Sequence, residues 1–282
     1  MIFWIASYPK SGNTWIRSLI SSYYYSKDGN FSEEVIKNIG QFPEKFHFHG
    51  FNYKKEIVTD TTRFWIKAQE RINRDKKIRF FKTHNCMSSI NNNLFTDAIN
   101  TTACIYIIRD PRNLITSLKN HYELDYEQAL NFMTNEKKFI FDHDTKNDFS
   151  DFQFISSWEN NFLSWKNQNL FPIKIIKYED LLSKTYNIFE DLIKFINKIM
   201  KNNKKVDVEK LKNSISSTSF DKLQNYEKNH GFSESIKSKN DNKSIPFFHL
   251  GPDNDWKKIL NEDLKKKLNI TFNKSLKFFS YN

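Results

Sequence analysis

Ile2-Phe3-Trp4-Ile5-Ala6-Ser7-Tyr8-Pro9-Lys10-Ser11-Gly12-Asn13-Thr14-Trp15-Ile16-Arg17-Ser18-Leu19-Ile20 reads as a buried strand running straight into a phosphate-sized loop. Residues 2 to 6 form an apolar run of strand length, Pro9 and Gly12 interrupt it, and from Thr14 onward apolar residues return at helical spacing. The unit is strand, loop, helix. Backbone N–H groups from Ser11 to Thr14 would face the loop at the positive end of the helix, with Lys10 and two hydroxyls beside them, a setting that suits phosphate or sulfate. In the Walker A pattern the lysine follows the second glycine, whereas Lys10 precedes Ser11-Gly12. The loop is therefore P-loop-like without being that of an ordinary ATPase or kinase. Loops also carry glycine and lysine simply to turn in solvent, so other segments must decide.

Five such segments follow. Thr101 to Ile108 reads as a second buried strand, ending in Arg109-Asp110-Pro111, where Asp110 suits an N-cap and Pro111 the first helical position. Arg109 at the strand end and Ser117 two turns into the helix are spaced to converge on one phosphate, although a helix-terminal ion pair is the commoner use of a single arginine. Ile78-Arg79-Phe80-Phe81-Lys82-Thr83-His84 is a strand pattern that projects Lys82 and His84 to the same side. A lone histidine is more often a satisfied core or surface group than a base. Pro172 to Lys177 is a third such strand, followed by Tyr178-Glu179-Asp180-Leu181-Leu182, and further along lie Ser217-Thr218-Ser219-Phe220 and His249-Leu250-Gly251-Pro252-Asp253-Asn254-Asp255-Trp256.

In their joint order, from residue 7 to residue 257, these segments resemble the motifs of sulfotransferases that use 3′-phosphoadenosine 5′-phosphosulfate (PAPS) and release adenosine 3′,5′-bisphosphate (PAP). YPKSGNTW resembles the family's 5′-phosphosulfate loop, which implies that Lys10, Ser11, Gly12, Asn13 and Thr14 hold that group and that Trp15 packs near the adenine. Arg109 and Ser117 match the 3′-phosphate motif. Lys82-Thr83-His84 resembles the catalytic strand end, implying His84 as general base with Lys82 near the transferring group; the family's Leu-Pro is here Asn85-Cys86. Tyr178 would approach the adenine, and Thr218 and Phe220 would hold it by hydrogen bonding and stacking. The C-terminal R-K-G-x-x-G-D-W segment keeps Gly251, Asp255 and Trp256 but carries His249 and Leu250 in place of the basic pair. One 3′-phosphate ligand is thus missing or substituted. Backbone N–H groups near Gly251, or Lys237, Lys239 and Lys243 in a flap-like segment, are the candidate replacements, and a weakened site is the alternative.

The rest of the chain fits one α/β domain over residues 1–282, a parallel sheet flanked by helices with Lys10, His84, Arg109 and Tyr178 on one rim at strand carboxyl ends. Phe154, Trp158, Phe162 and Trp165 form a helical apolar stripe, and Ile188 to Ile199 another. With 282 residues the chain can bury a large core, and no Pro/Gly/Ser linker divides it. Its net charge of +11 and pI near 9.3 attract anions, but the lysines are interleaved with acids and no nucleic-acid motif appears. Cys86 and Cys104 read as reduced thiols, and His47 and His49, placed on one strand face, as a solvated or acceptor-lining pair rather than a zinc site. No 18-residue apolar segment or signal peptide occurs, so a cytoplasmic enzyme without a membrane segment or metal is expected. The acceptor, whether small molecule, sugar or lipid, would lie against residues 26 to 77 and 122 to 152. An ATP-dependent phosphotransferase, which needs carboxylates for magnesium, and a silent PAPS- or anion-binding module are the rival functions.

Overall fold

A computed structural model of the chain describes residues 1–141, 147–238 and 241–281. Its centre is a parallel sheet of five strands: β1 (Ile2–Ser7), β2 (Gly40–Gln41), β3 (Arg79–Thr83), β4 (Thr101–Ile108) and β5 (Ile173–Lys177), in the order β2-β3-β1-β4-β5. Every residue of β1 is buried, because helices cover both faces of a parallel sheet and its central strand has no wet side. Ile2, Trp4 and Ala6 point into one half of the core with Cys104, Tyr106 and Ile108; Phe3 and Ile5 point into the other with Ala103, Ile105 and Ile107. Period-two alternation thus divides one apolar strand between two cores.

Helix α1 (Asn13–Tyr25) lays Ile16, Leu19 and Ile20 on the second face. Opposite it, α2 (Pro111–Tyr122) sets Leu114, Ile115 and Leu118 on the first face. Asp110 caps α2 by accepting from the Arg112 N–H at 2.8 Å, with Pro111 at the first helical position. α3 (Trp158–Lys166) adds Trp158, Phe162 and Trp165 to the first core, and α4 (Thr185–Ile199) adds Phe189, Leu192, Ile193 and Ile196 to the second. Full burial of each such side chain contributes about 1.5–3 kcal/mol. Cys86 and Cys104 are free, buried thiols.

Two sequence readings change here. Phe154 is not the first member of a helical stripe: it lies in a two-residue strand, Gln153–Phe154, paired with Phe139–Ile140, and α3 starts only after Ser157, whose hydroxyl accepts from the Asn160 N–H at 3.2 Å. His47 and His49 share no strand, since Lys45–Phe48 is a single 3-10 turn. There the buried His47 accepts the Glu44 N–H at 3.0 Å through Nδ1. The two-residue strand β2 carries no apolar run and was not legible.

β3 lies on one side of β1 and β4 on the other, so the crevice beyond the carboxyl ends of β1, β3 and β4 is where such a sheet binds ligands.

Candidate functional site

That crevice opens into a cavity of about 1450 Å³ whose walls include Lys10, Lys82, His84, Arg109, Ser117 and Tyr178. The loop after β1 is held by its own chemistry. Lys10 and Gly12 adopt positive φ, 63° and 102°. The Asn13 amide donates to the Ile5 carbonyl at 2.9 Å and to Ser7 Oγ at 3.2 Å, which clips the first turn of α1 back onto β1. A Cβ on Gly12 would stand 2.6 Å from Cδ2 of Tyr178, so only glycine admits that ring. Tyr178 in turn packs edge-on to Trp15, 5.8 Å between centroids, and carries the Arg109 guanidinium on its face at 4.3 Å.

Several strong donors in this cradle have no partner. Lys10 Nζ, Ser11 Oγ and Arg109 Nε are buried without a hydrogen bond. Lys10 Nζ sits 3.4 Å over the Phe247 ring, and burial, with the neighbouring Arg109 and Lys82 cations, brings its pKa down to about 7 against the pull of Glu234 and Glu227. Arg109 donates to Ser117 Oγ at 3.1 Å and to the Lys10 carbonyl at 3.0 Å. Buried polar groups ordinarily find partners. Orphaned donors around a helix N-terminus, beside a glycine that keeps the backbone open, fit a phosphate-bearing ligand.

His84 follows β3. Its backbone N–H donates to Gln153 Oε1 at 2.7 Å, and its carbonyl accepts from Asn161 Nδ2 at 2.9 Å, so the strand end is fixed on both sides. Nδ1 lies 2.7 Å from the Ser7 carbonyl oxygen. A carbonyl only accepts, so Nδ1 carries the proton and Nε2 the lone pair. Burial, reinforced by the Lys82 cation, lowers the imidazole pKa to about 4, which leaves the ring neutral and able to take a proton.

Phe220 borders the same cavity beneath Gly251, where an added Cβ would meet its ring at 2.3 Å, and His249, Leu250 and Gly251 line the wall beside it. Thr218 is not brought in. Completely buried, it donates its hydroxyl to the Ser214 carbonyl at 2.7 Å, while its neighbour Ser219 reaches the cavity. Of the candidate replacement cations, Lys237 lines the cavity, Lys243 pairs with Asp241 at 3.1 Å away from it, and Lys239 lies outside the described residues. Of the two segments expected on the acceptor side, Gln41, Glu44 and Phe46 and Tyr122, Phe132, Phe139 and Phe141 line the cavity, and residues 47 to 77 contribute nothing to its wall. No group of three or more metal-ligating side chains occurs among the described residues.

Two cavity residues escaped the sequence reading. His121 sits four residues after Ser117 and therefore on the same helical face; burial drives its pKa far down, and its Nδ1 is buried without a partner. That spacing was an available signal. Glu234 had none, being brought from the distant chain onto Thr14, Arg17 and Lys82.

The pattern of the sulfotransferase domain matches residues 2–280. The chain belongs to the sulfotransferase family. A luciferin sulfotransferase of Photinus pyralis is 23% identical over 291 residues, covering 98% of this chain and 72% of that protein. Among solved structures, a mouse sulfotransferase complexed with PAP superposes with a TM-score of 0.57 at 18% identity, over 98% of this chain and 84% of that one. A retinol dehydratase in complex with androsterone and inactive cofactor PAP gives 0.55 at 15% identity, over 98% and 80%. These likenesses share the fold. The sulfotransferase is thus an enzyme that moves a sulfuryl group from PAPS to an acceptor, and PAP is its product.

Proposed function

We propose that residues 1–282 act as one catalytic unit in which His84 is the general base, with Lys10 and Lys82 as its catalytic partners. Bound PAPS supplies an activated sulfuryl group whose departure leaves the 5′-phosphate of PAP. Nε2 of His84 takes the proton of an acceptor hydroxyl or amine, a task for which the Ser7 carbonyl holds the ring in the required tautomer. Lys10, with the N–H groups of Ser11 to Thr14 in a P-loop-like cradle, holds negative charge at the 5′-phosphate. Lys82 faces the reacting group. Arg109 and Ser117 bind the 3′-phosphate, and Trp15, Tyr178 and Phe220 enclose the base. In place of the family's basic pair, His249, Leu250 and Gly251 close that end, with Lys237 supplying positive charge. Thr218 supports this wall from behind rather than by direct contact.

The observation that carries this reading is the pairing of orphaned buried donors at Lys10, Ser11 and Arg109 with a histidine whose free lone pair opens on the same cavity. The acceptor side is walled by Phe46, Tyr122, Phe132, Phe139 and Phe141, a surface for a small molecule or lipid with an aromatic or aliphatic body, or for the apolar face of a sugar. No helix among the described residues is long and apolar enough to cross a membrane, and two free buried thiols support a reducing, cytoplasmic setting. The test is calorimetric titration with PAP, AMP and ATP, followed by a screen of phenols, alcohols, sugars and lipids with sulfur-labelled PAPS. PAP should bind at least tenfold more tightly than AMP. Equal affinities for PAP and AMP would remove the 3′-phosphate assignment, and label appearing on no acceptor while PAP binds would favour a silent nucleotide-binding module.

A further inference from the structure

We infer that Glu234 is a positioning residue of the transfer reaction, a carboxylate carried in from the C-terminal segment that fixes Lys82 and the first turn of α1 against the reacting group. The inference rests on the sulfotransfer reading above. Glu234 Oε1 accepts from Lys82 Nζ at 2.7 Å and from Arg17 Nη1, and Oε2 accepts from Thr14 Oγ1 at 2.7 Å. Arg17 is itself tied to the Ile39 carbonyl at 2.7 Å through Nη2. One carboxylate therefore joins the phosphate loop, α1 and β3, and the side chains are largely buried: 7% exposed at Arg17, 15% at Lys82 and 19% at Glu234.

The distribution of charge gives these contacts their meaning. Lys10, Arg17 and Lys82 approach one region, and the carboxylate pairs with two of them while Lys10 Nζ keeps no hydrogen-bond partner. Lys10 is left for the donor's phosphate. Lys82 instead receives a counter-ion: burial works to deprotonate it, and the Glu234 charge is the largest influence opposing that. An ammonium has three protons, so a bond to Glu234 leaves two for the sulfuryl oxygens. Without the carboxylate, Lys82 and Arg17 would repel each other, and Lys82 would lose both its direction and its proton.

Glu234 is not what folds its own segment. Helix α5 (Val208–Ser217) is followed by α6 (Phe220–His230), and Glu227 of α6 accepts from the N–H groups of Phe247 and Phe248 at 2.7 and 2.9 Å and from Ser235 Oγ at 2.5 Å. The Ile245 N–H donates to the Ile236 carbonyl at 2.8 Å. None of these bonds uses the Glu234 carboxylate, which makes Glu234→Gln a usable probe.

The experiment compares wild type, Glu234→Gln and Glu234→Asp at saturating PAPS and acceptor, with PAP affinity measured by calorimetry and kcat followed from pH 6 to 10. The groups facing Lys82 across this range are Glu234, Arg17, Glu44, Lys10, His84 and His121. Glu234→Gln should lower kcat roughly tenfold to a hundredfold, the scale of a misplaced reacting group, while PAP Kd, read at pH 6 where Lys10 is charged, changes less than about threefold. Its alkaline limb should move to lower pH as Lys82 loses its counter-ion, and Glu234→Asp should recover part of both effects. The idea is overturned if Glu234→Gln binds PAP tenfold more tightly with undiminished kcat, which would make the carboxylate a plug that the donor displaces. Unchanged kcat and pH profile beside a lowered Tm would reduce it to a structural strut. Wild-type protein that transfers no label from PAPS to any acceptor would refute the functional reading instead, before any variant is compared.

Discussion

Replacing Gly12 by alanine separates backbone strain from the packing that aims Arg109. Gly12 and Gly50 both lie at positive φ, 102° and 80°, but a Cβ on Gly50 meets nothing within 4 Å, whereas one on Gly12 meets Tyr178 Cδ2 at 2.6 Å and Cε2 at 3.1 Å. Forcing an L-residue into the left-handed region costs roughly 1–2 kcal/mol, and this is the whole expected cost of Gly50→Ala. At Gly12 an overpacking term of about 1–3 kcal/mol adds to it, for about 2–5 kcal/mol in all. The Tyr178 ring cannot move without its partners, because the Arg109 guanidinium rests on it at 4.3 Å and Trp15 packs at its edge. Loss of a well-aimed hydrogen bond to a charged group costs about 1.5–3 kcal/mol, so PAP Kd should rise by roughly 10- to 150-fold in Gly12→Ala and stay within about twofold in Gly50→Ala. Urea unfolding followed by tryptophan fluorescence gives the stability difference, and calorimetry gives the Kd. The reasoning is wrong if the two variants unfold within about 0.5 kcal/mol of each other and both bind PAP normally.

Two pH effects follow from the same contacts. With its pKa brought down to about 7 by burial, Lys10 is increasingly neutral above that pH in the free enzyme, so PAP binding at pH 8.5 should take up close to one proton and weaken by up to about tenfold per pH unit; calorimetry in buffers of different ionisation enthalpy reads this, and Lys10→Met should abolish it. His47, His84 and His121 all have pKa values depressed chiefly by burial, to about 4 for the first two. Between pH 6.5 and 5 the unfolded chain therefore takes up protons that the native state refuses, and stability present above pH 6.5 is lost as pH falls, by up to about 1.4 kcal/mol per pH unit for each histidine. Urea titrations at pH 7, 6 and 5 should show this loss and a shallower slope in His121→Gln; a flat profile would contradict the buried neutral state.

The parts of the site legible in the sequence are those whose signal is local. The Lys10 loop, the Arg109–Ser117 spacing and the Lys82–His84 strand end are each carried by a short continuous run of sequence, and the strand order puts them on one rim. Thr218 shows the limit of such reading: its place near the cavity wall follows from its segment, but its hydroxyl is taken by the preceding helical turn, a competition decided by backbone geometry. Glu234 was out of reach because its contacts cross 152 to 220 residues and nothing near it in sequence marks it. The strand Gly40–Gln41 was missed for a different reason, since two polar-edge residues carry no period at all.

The most direct measurement is the single-turnover rate of label transfer from PAPS to an acceptor by wild type and by His84→Gln, at saturating PAPS. Glutamine at this position cannot take a proton at neutral pH, and the imidazole meets the phosphate loop through Ser7, whose carbonyl a glutamine amide can still reach as a donor. The expected result is a fall in rate of about 10²- to 10⁴-fold with PAP Kd within about threefold of wild type. Near-normal transfer by His84→Gln would contradict the assignment of the base and move it elsewhere in the cavity, to His121 or Glu44.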